Sequence, residues 1–158
     1  MNAELEIRKA LGNDWPAVIY VAKVRTQRTR SLHIDVPERE SEANIQYTLL
    51  GIELKVGKRR FACPDLATAR YMRVFARVSV RDFAVPYNIT KISVIADELE
   101  TAWQRMSLLA SEMLKEVEPT VAKRLRGRII KALRKEFIEI GAGKAMPTFE
   151  QKTSTRRA

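Results

Sequence analysis

Apolar residues in the second half of the chain recur at alternating spacings of four and three. The series comprises Ile92, Ala96, Leu99, Trp103, Met106, Ala110, Met113 and Val117. A heptad seam of this length is typical of a long helix that packs against another helix. Pro119 then suits the first turn of a second helix, and Gly141 suits its end. The pattern predicts a long helical hairpin over residues 90–143.

The first half shows shorter patterns that are typical of strands. Residues rich in Val, Ile and Tyr predict strands over 17–24, 31–36 and 45–56. The last of these alternates apolar and polar positions from residue 52 onward, with Ile52, Leu54 and Val56 on one face and Glu53 and Lys55 on the other. The pair Gly57-Lys58 predicts a two-residue turn, and residues 59–63 would return as the hairpin partner.

Helical spacing returns after Cys63. Asp65 is a candidate cap for a helix over residues 66–78, and a short strand over 82–87 follows. A strand, a helix and a strand in close succession predict a crossover unit with parallel strands. A short helix over residues 2–11, stopped by Gly12, precedes all of these elements.

The fold class predicted from these elements is α+β. A small mixed β-sheet with a covering helix occupies residues 1–89, and the helical hairpin of residues 90–143 packs on it or on a partner subunit. Residues 144–158 are polar and basic, and we expect them to be disordered. A hairpin helix of about 42 Å exceeds what a small sheet can cover. We therefore expect a homo-oligomer, with an interface that contains Leu99, Trp103, Met106 and Met113.

Composition and charge narrow the classes of partner. The chain has 29 Lys and Arg against 19 Asp and Glu, so its net charge of +10 favours an anionic partner. With one Cys and one His, a disulfide within the chain is impossible and a Cys/His zinc site would need a second copy. The acidic start resembles no signal peptide, and no apolar run is long enough for a membrane span. We expect a cytoplasmic protein with no membrane partner, no metal and no cofactor.

Three groups of cations are candidate phosphate contacts. The first is a stripe along one face of the predicted helix 66–78, formed by Arg70, Arg73 and Arg77. The second is the hairpin turn, with Lys58, Arg59 and Arg60. The third is the last helix, with Lys123, Arg124, Arg126, Arg128, Lys131, Arg134 and Lys135. Guanidinium groups match phosphate geometry, so each group could follow a nucleic-acid backbone.

Each group also has an alternative that the sequence leaves open. The stripe of the helix 66–78 could pair with the acidic stretch 97–118, and the cations of the last helix could pair with the same acids across the hairpin. The hairpin turn could be an ordinary charged turn that protects a sheet edge. Eleven cations in residues 119–158 exceed the six acids of residues 90–118, so pairing across the hairpin leaves a surplus.

A further pattern bears on catalysis. Asp35, followed by Glu53 and Lys55 on one strand face and then by a helix and a strand, resembles the acid…Glu-x-Lys arrangement of restriction-endonuclease-like proteins. That resemblance implies two carboxylates that hold Mg²⁺ and a lysine near the attacking water. The same acid-x-Lys spacing recurs at residues 150–152, so the spacing alone does not single out this strand.

The sequence therefore favours a non-enzymatic protein that binds nucleic acid or another polyanion through basic helix faces. The first alternative is a homo-oligomeric scaffold or regulatory protein that acts through helix–helix contacts. The second is a Mg²⁺-dependent nuclease. Salt-dependent binding, a defined oligomer without such binding, and metal-dependent cleavage would distinguish the three.

Overall fold

The computed structural model describes residues 2–143, so the predicted disordered tail lies outside the described residues. The helices are α1 (Ala3–Leu11), α2 (Pro16–Ile19), α3 (Leu66–Arg77), α4 (Ile89–Leu114) and α5 (Pro119–Ile140). The strands are β1 (Thr29–His33), β2 (Ala43–Thr48), β3 (Gly51–Val56), β4 (Arg59–Cys63) and β5 (Asp82–Pro86). A 3₁₀ turn at Gly12–Asp14 precedes α2, and a π turn at Tyr20–Val24 follows it.

The α+β class is confirmed, but the predicted parallel crossover is wrong. Every strand pair in residues 2–143 is antiparallel: β1 pairs with β5, and β2, β3 and β4 form a separate three-stranded sheet. The strands on either side of α3 therefore belong to different sheets. The helix still covers the sheet as predicted, because α3 packs on β2, β3 and β4. The strand–helix–strand order alone did not reveal that the chain leaves one sheet and enters another.

The strand predicted over residues 17–24 is also wrong, because this segment is helical. Pro16 occupies the first turn of α2, where its missing N–H costs nothing. Ala17, Tyr20 and Val24 are buried at spacings of three and four, which is a helical period. The β-branched residues between them suggested a strand, but burial on one helical face determined the structure.

The strand predicted over residues 45–56 is divided in two by a turn at Leu49 and Leu50. The Thr48 hydroxyl accepts a hydrogen bond from the Leu50 N–H at 3.1 Å, and Gly51 has a φ of 125° that favours glycine. The turn at Gly57-Lys58 and the return strand are confirmed. On β3, Leu54 and Val56 are buried as predicted.

The helical hairpin is confirmed as the C-terminal part of the fold. Asn88 caps α4 through its side chain, and residues 115–118 connect α4 to α5. α3 packs along α4, while α1 and α2 contact both helices of the hairpin. Six of the eight seam residues are buried, and Met113 and Val117 at the far end are partly buried. No helix in the described part of the chain is long and apolar enough to span a bilayer.

Aromatic side chains join the two halves into one core. Phe75 of α3 stacks on Phe83 of β5 with a centroid distance of 4.3 Å, and Phe137 of α5 lies 5.0 Å from Phe75. Tyr20 makes edge contacts with Phe75 and Phe137. Its hydroxyl accepts a hydrogen bond from the Ala84 N–H and donates one to the carbonyl of residue 141. Burial raises the pKa of Tyr20, because the charged phenolate would be desolvated.

Candidate anion-binding surface

The cations of α5 are divided between two environments. The buried side of the helix consists of Leu125, Ile129, Ile130, Leu133 and Phe137. On the opposite side lie four exposed cations that we call the basic face: Arg124, Arg128, Lys131 and Lys135. Spacings of four, three and four place them along one line of the helix. With a rise of about 1.5 Å per residue, this line is about 16 Å long.

The basic face has no ion-pair partner in residues 2–143. None of its four side chains makes an ion pair or a hydrogen bond there, and the same holds for the exposed Lys123. The exposed Glu139 follows Lys135 by four positions on the same side of the helix, but no ion pair joins them. Glu136, which follows Lys135 directly, points away from the basic face. Its carboxylate lies 2.9 Å from the Arg8 guanidinium and accepts a hydrogen bond from the Trp15 indole.

Two other cations of α5 contact the rest of the protein. Arg126 forms an ion pair of 2.8 Å with Glu40, and Arg134 donates a hydrogen bond of 2.6 Å to the Val78 carbonyl. Burial lowers the pKa of Arg134, and the nearby Glu38 and Glu40 act in the opposite direction. The structure therefore places Arg126 and Arg134 against the loop of residues 37–42 and the end of α3.

The arginine stripe of α3 faces α4. Arg70 pairs with Asp97, while Arg73 and Arg77 share Glu100 at 3.7 Å and 2.7 Å. The Arg77 guanidinium also lies over the Trp103 ring, 5.7 Å from its centroid. Burial lowers the pKa of Arg73, and the adjacent carboxylate of Glu100 opposes this effect. This is the pairing with the acidic stretch 97–118 that the sequence left open.

The cations of the β3–β4 turn are partly neutralised. Arg59 lies 2.8 Å from the carboxylate of Asp35, and Arg60 lies 3.7 Å from that of Glu53. Lys58 is exposed and makes no ion pair or hydrogen bond with the described residues. Of the three cations predicted here, the structure leaves one without a partner of opposite charge.

The residues of the nuclease alternative lie on and beside the three-stranded sheet. Glu53 and Lys55 lie on the polar face of the three-stranded sheet, and Asp35 and Glu53 each pair with an arginine. Across residues 2–143, no group of three or more His, Cys, Asp or Glu side chains could hold a metal ion. The helix and the strand that the resemblance requires do follow, but β5 belongs to a different sheet from β3.

The predicted interface residues lie in the core of the chain. Leu99, Trp103 and Met106 are buried, and Met113 packs partly buried against the same cluster. The seam that suggested self-association is therefore covered by α3, α1 and α2. Self-association stays a prediction, but it needs another surface.

Two shallow clefts of about 370 and 400 Å³ flank the loop of residues 39–42. The first lies against Arg77 and Trp103, and the second lies against Lys55 and the turn at residue 57. Small-molecule sites are concave and mostly apolar, whereas these clefts are open and mix Glu40 and Glu42 with cations. The basic face is therefore the strongest candidate site that the described residues offer.

Comparison with known proteins gives no match, since no family model, no curated protein and no solved structure is similar to this chain.

Proposed function

We propose that the protein is a non-enzymatic nucleic-acid-binding protein that contacts phosphates through the basic face of α5. The observation that supports this is the line of four exposed cations that make no ion pair in residues 2–143. Like charges three or four residues apart destabilise a helix by about 0.2–0.5 kcal/mol per pair. The basic face contains three such adjacent pairs, so a bound polyanion would relieve a repulsion that the free protein carries.

The chemistry of the face suits a phosphate backbone. Its two arginines can bind phosphate oxygens in a bidentate manner, and its two lysines act as compact point charges. Such contacts position a protein on nucleic acid without reading the sequence. We therefore expect similar affinity for different sequences. The rigid helix fixes the spacing of the contacts, because its other side is buried in the core.

The binding should depend strongly on salt. Each neutralised phosphate contributes about −0.9 to the slope of log K against log salt on duplex DNA, and about −0.7 on single strands. Four contacts then give slopes of about −3.6 and −2.8 respectively. The slope tests the number of contacts, and the comparison of ligands tests which form of nucleic acid is preferred.

The experiment is a fluorescence-anisotropy titration of the full chain with duplex DNA, single-stranded DNA and RNA, between about 50 and 200 mM salt. The test variant changes the whole basic face to glutamine. The control variant changes four exposed cations elsewhere, Lys9→Gln, Arg39→Gln, Lys91→Gln and Lys115→Gln. Both variants lower the net charge from +10 by four, so a difference between them reports the arrangement of the charges.

We expect the test variant to lose most of the salt slope and the control to retain most of it. Equal losses in the two variants would show that only net charge matters, and absence of wild-type binding at the lowest salt would refute the proposal. Parallel titrations with Mg²⁺ address the nuclease alternative. Metal-dependent cleavage by the wild type that disappears in Glu53→Ala would establish that alternative instead.

A further inference from the structure

The three-stranded sheet has two edges with different chemistry. β2 and β4 are the outer strands, and each leaves one row of backbone N–H and C=O groups without a strand partner in residues 2–143. β4 carries Arg59 and Arg60, and charged side chains of this kind discourage pairing with another chain. β2 carries no charged residue at all over Ala43–Thr48. The β2 edge therefore lacks the usual protection.

The turn that follows β2 is the most exposed apolar feature of the described chain. Leu49 and Leu50 are 105% and 96% exposed, and Tyr47 on the strand is 71% exposed. Two-residue hairpin turns normally contain Asn, Asp or Gly, so a Leu-Leu pair is not explained by turn geometry. The hydroxyl of Thr48 and the positive φ of Gly51 hold this turn in place.

We infer that β2 is an association edge that pairs antiparallel with β2 of a second copy of this chain. Antiparallel pairing of one edge with itself has two-fold symmetry, so the contact closes at a dimer. The combined sheet would have six strands, and its outer edges would be the β4 strands with Arg59 and Arg60. Further growth is discouraged there.

Charge supports a second copy as the occupant despite the net charge of +10. In the antiparallel arrangement, the acidic segment with Glu40 and Glu42 at the start of β2 lies beside residues 47–51 of the partner. That segment of the partner carries no charge. No like charges are therefore brought together along the strand.

The surface area that the contact can bury limits the expected affinity of the dimer. At about 100 Å² of apolar surface for each fully buried side chain, Tyr47, Leu49 and Leu50 of both copies contribute at most on the order of 600 Å². The paired strands raise the total toward the lower end of specific interfaces, which is about 1,200 Å². We therefore expect a reversible dimer with a dissociation constant on the order of micromolar.

Backbone groups of successive residues on a strand face opposite edges, and this alternation identifies the amides that should become protected when the dimer forms. Thr48 flanks the turn, so the backbone groups of residues 44, 46 and 48 face β3, and those of Ile45 and Tyr47 face outward. On β4, the outward-facing residues are Arg60 and Ala62. The second pair provides an internal control on the opposite edge of the same sheet.

The experiment is sedimentation analysis of the nuclease-treated full chain at high salt, from about 1 to 200 µM, which brackets a micromolar constant. We expect the wild type to shift from monomer to dimer. The double variant Leu49→Glu/Leu50→Glu should remain a monomer, because its new carboxylates would lie beside Glu40 and Glu42 of the second copy. The control is Leu108→Glu, which places a glutamate at an apolar position on α4 that is 72% exposed, and it should dimerise like the wild type.

Hydrogen exchange of the wild type provides a second measurement that needs no variant. With increasing concentration, we expect the amides of Ile45 and Tyr47 to become protected while those of Arg60 and Ala62 do not. A monomer at every concentration would overturn the inference, as would a dimer that survives in the double variant. A dimer whose β2 amides gain no protection would overturn it too, since another surface would then be responsible.

Discussion

α3 and α5 carry similar patterns of cations but present them to different surroundings. On both helices, positive side chains recur every three or four residues opposite an apolar face. α3 lies against α4, which supplies Asp97 and Glu100 to its arginines. The basic face of α5 makes no ion pair with an acidic side chain in residues 2–143. Cation spacing in a sequence thus identifies a helix face, but the neighbouring element decides whether that face is neutralised.

The largest loss of stability is expected from a charged substitution at the centre of the contact between α3 and α4. Leu99 is 0% exposed and precedes Glu100, so Leu99→Asp would bury a carboxylate without a partner. We expect a loss of about 4 kcal/mol or more, which is enough to unfold many domains. Thermal unfolding followed by circular dichroism measures it, with Leu108→Asp on the exposed side of α4 as the control. Equal melting temperatures for the two variants would contradict the described packing.

Removal of the α3 arginines should affect stability rather than binding. In the triple variant Arg70→Gln/Arg73→Gln/Arg77→Gln, Glu100 keeps its charge at 16% side-chain exposure but loses both partners. We expect a loss of about 3 kcal/mol in the free energy of unfolding, measured with urea. The salt slope of nucleic-acid binding should remain unchanged. A slope that becomes flatter by about 2.7 would instead identify these arginines as phosphate contacts.

The reverse substitution tests the same ion pairs from α4. Glu100→Gln leaves Arg73 and Arg77 beside a neutral amide, and we expect it to cost about 2 kcal/mol. Combined with Arg77→Gln, it should cost less than the sum of the two single variants, because both remove one interaction. Urea unfolding of the four proteins measures the coupling. Strict additivity would show that the pair contributes nothing.

A substitution on the apolar side of α3 should change the free energy of unfolding by a smaller amount, and this change should depend on pH. The buried Tyr71 hydroxyl donates to the Ala84 carbonyl, and burial raises its pKa well above the usual value of about 10. The folded protein thus holds this proton more tightly than the unfolded chain. The resulting stability is fully present below about pH 10 and is lost as the pH rises further toward the folded pKa.

Tyr71→Phe should therefore cost about 1 kcal/mol at neutral pH and weaken the alkaline decline in stability. Urea unfolding from neutral to alkaline pH measures both effects. A decline as steep as in the wild type would assign it to other groups, of which Tyr20 is the first to examine, because burial raises its pKa as well.

The smallest effect on stability is expected on α5. Arg124→Gln/Arg128→Gln/Lys131→Gln removes as many charges as the α3 variant, but all three side chains are exposed and none has an ionic partner in residues 2–143. We expect a change within about 0.5 kcal/mol in the free energy of unfolding. The salt slope on duplex DNA should become flatter by about 2.7. A loss of stability in the α3 variant and a loss of salt dependence in the α5 variant would establish that the two helices use their cations differently.

The sequence predicted those parts of the fold in which one periodicity extends over many residues. The seam of α4, the Pro119 start of α5 and the Asp65 cap of α3 were all correct, because caps and long apolar faces act locally. The prediction failed at α2, where a short β-branched segment is helical only because its buried face meets the core. It also failed at the Leu49-Leu50 turn, which contains no typical turn residue.

The candidate site, like the fold, was predictable only as far as local sequence patterns determine it. The sequence identified the seven cations of α5, but it could not separate Arg126 and Arg134 from the basic face. Their partners, Glu40 and the Val78 carbonyl, are 86 and 56 positions away along the chain. The acidic stretch pairs with α3 rather than α5, and this depends on which helix lies beside α4. Such information is tertiary and leaves no local pattern.

The hydrogen bonds of Trp15 and Tyr20 have a consequence for the order of folding. Each of these side chains, close to the start of the chain, finds its acceptor on a residue 121 positions later. The β2–β3–β4 hairpins need only neighbouring residues, and contacts of short separation form first. During synthesis the first helices are made early, yet they cannot complete their contacts until α5 exists. A chain interrupted before Glu136 leaves the Trp15 indole without its acceptor, so we expect the contacts between the first helices and α5 to be among the last to form.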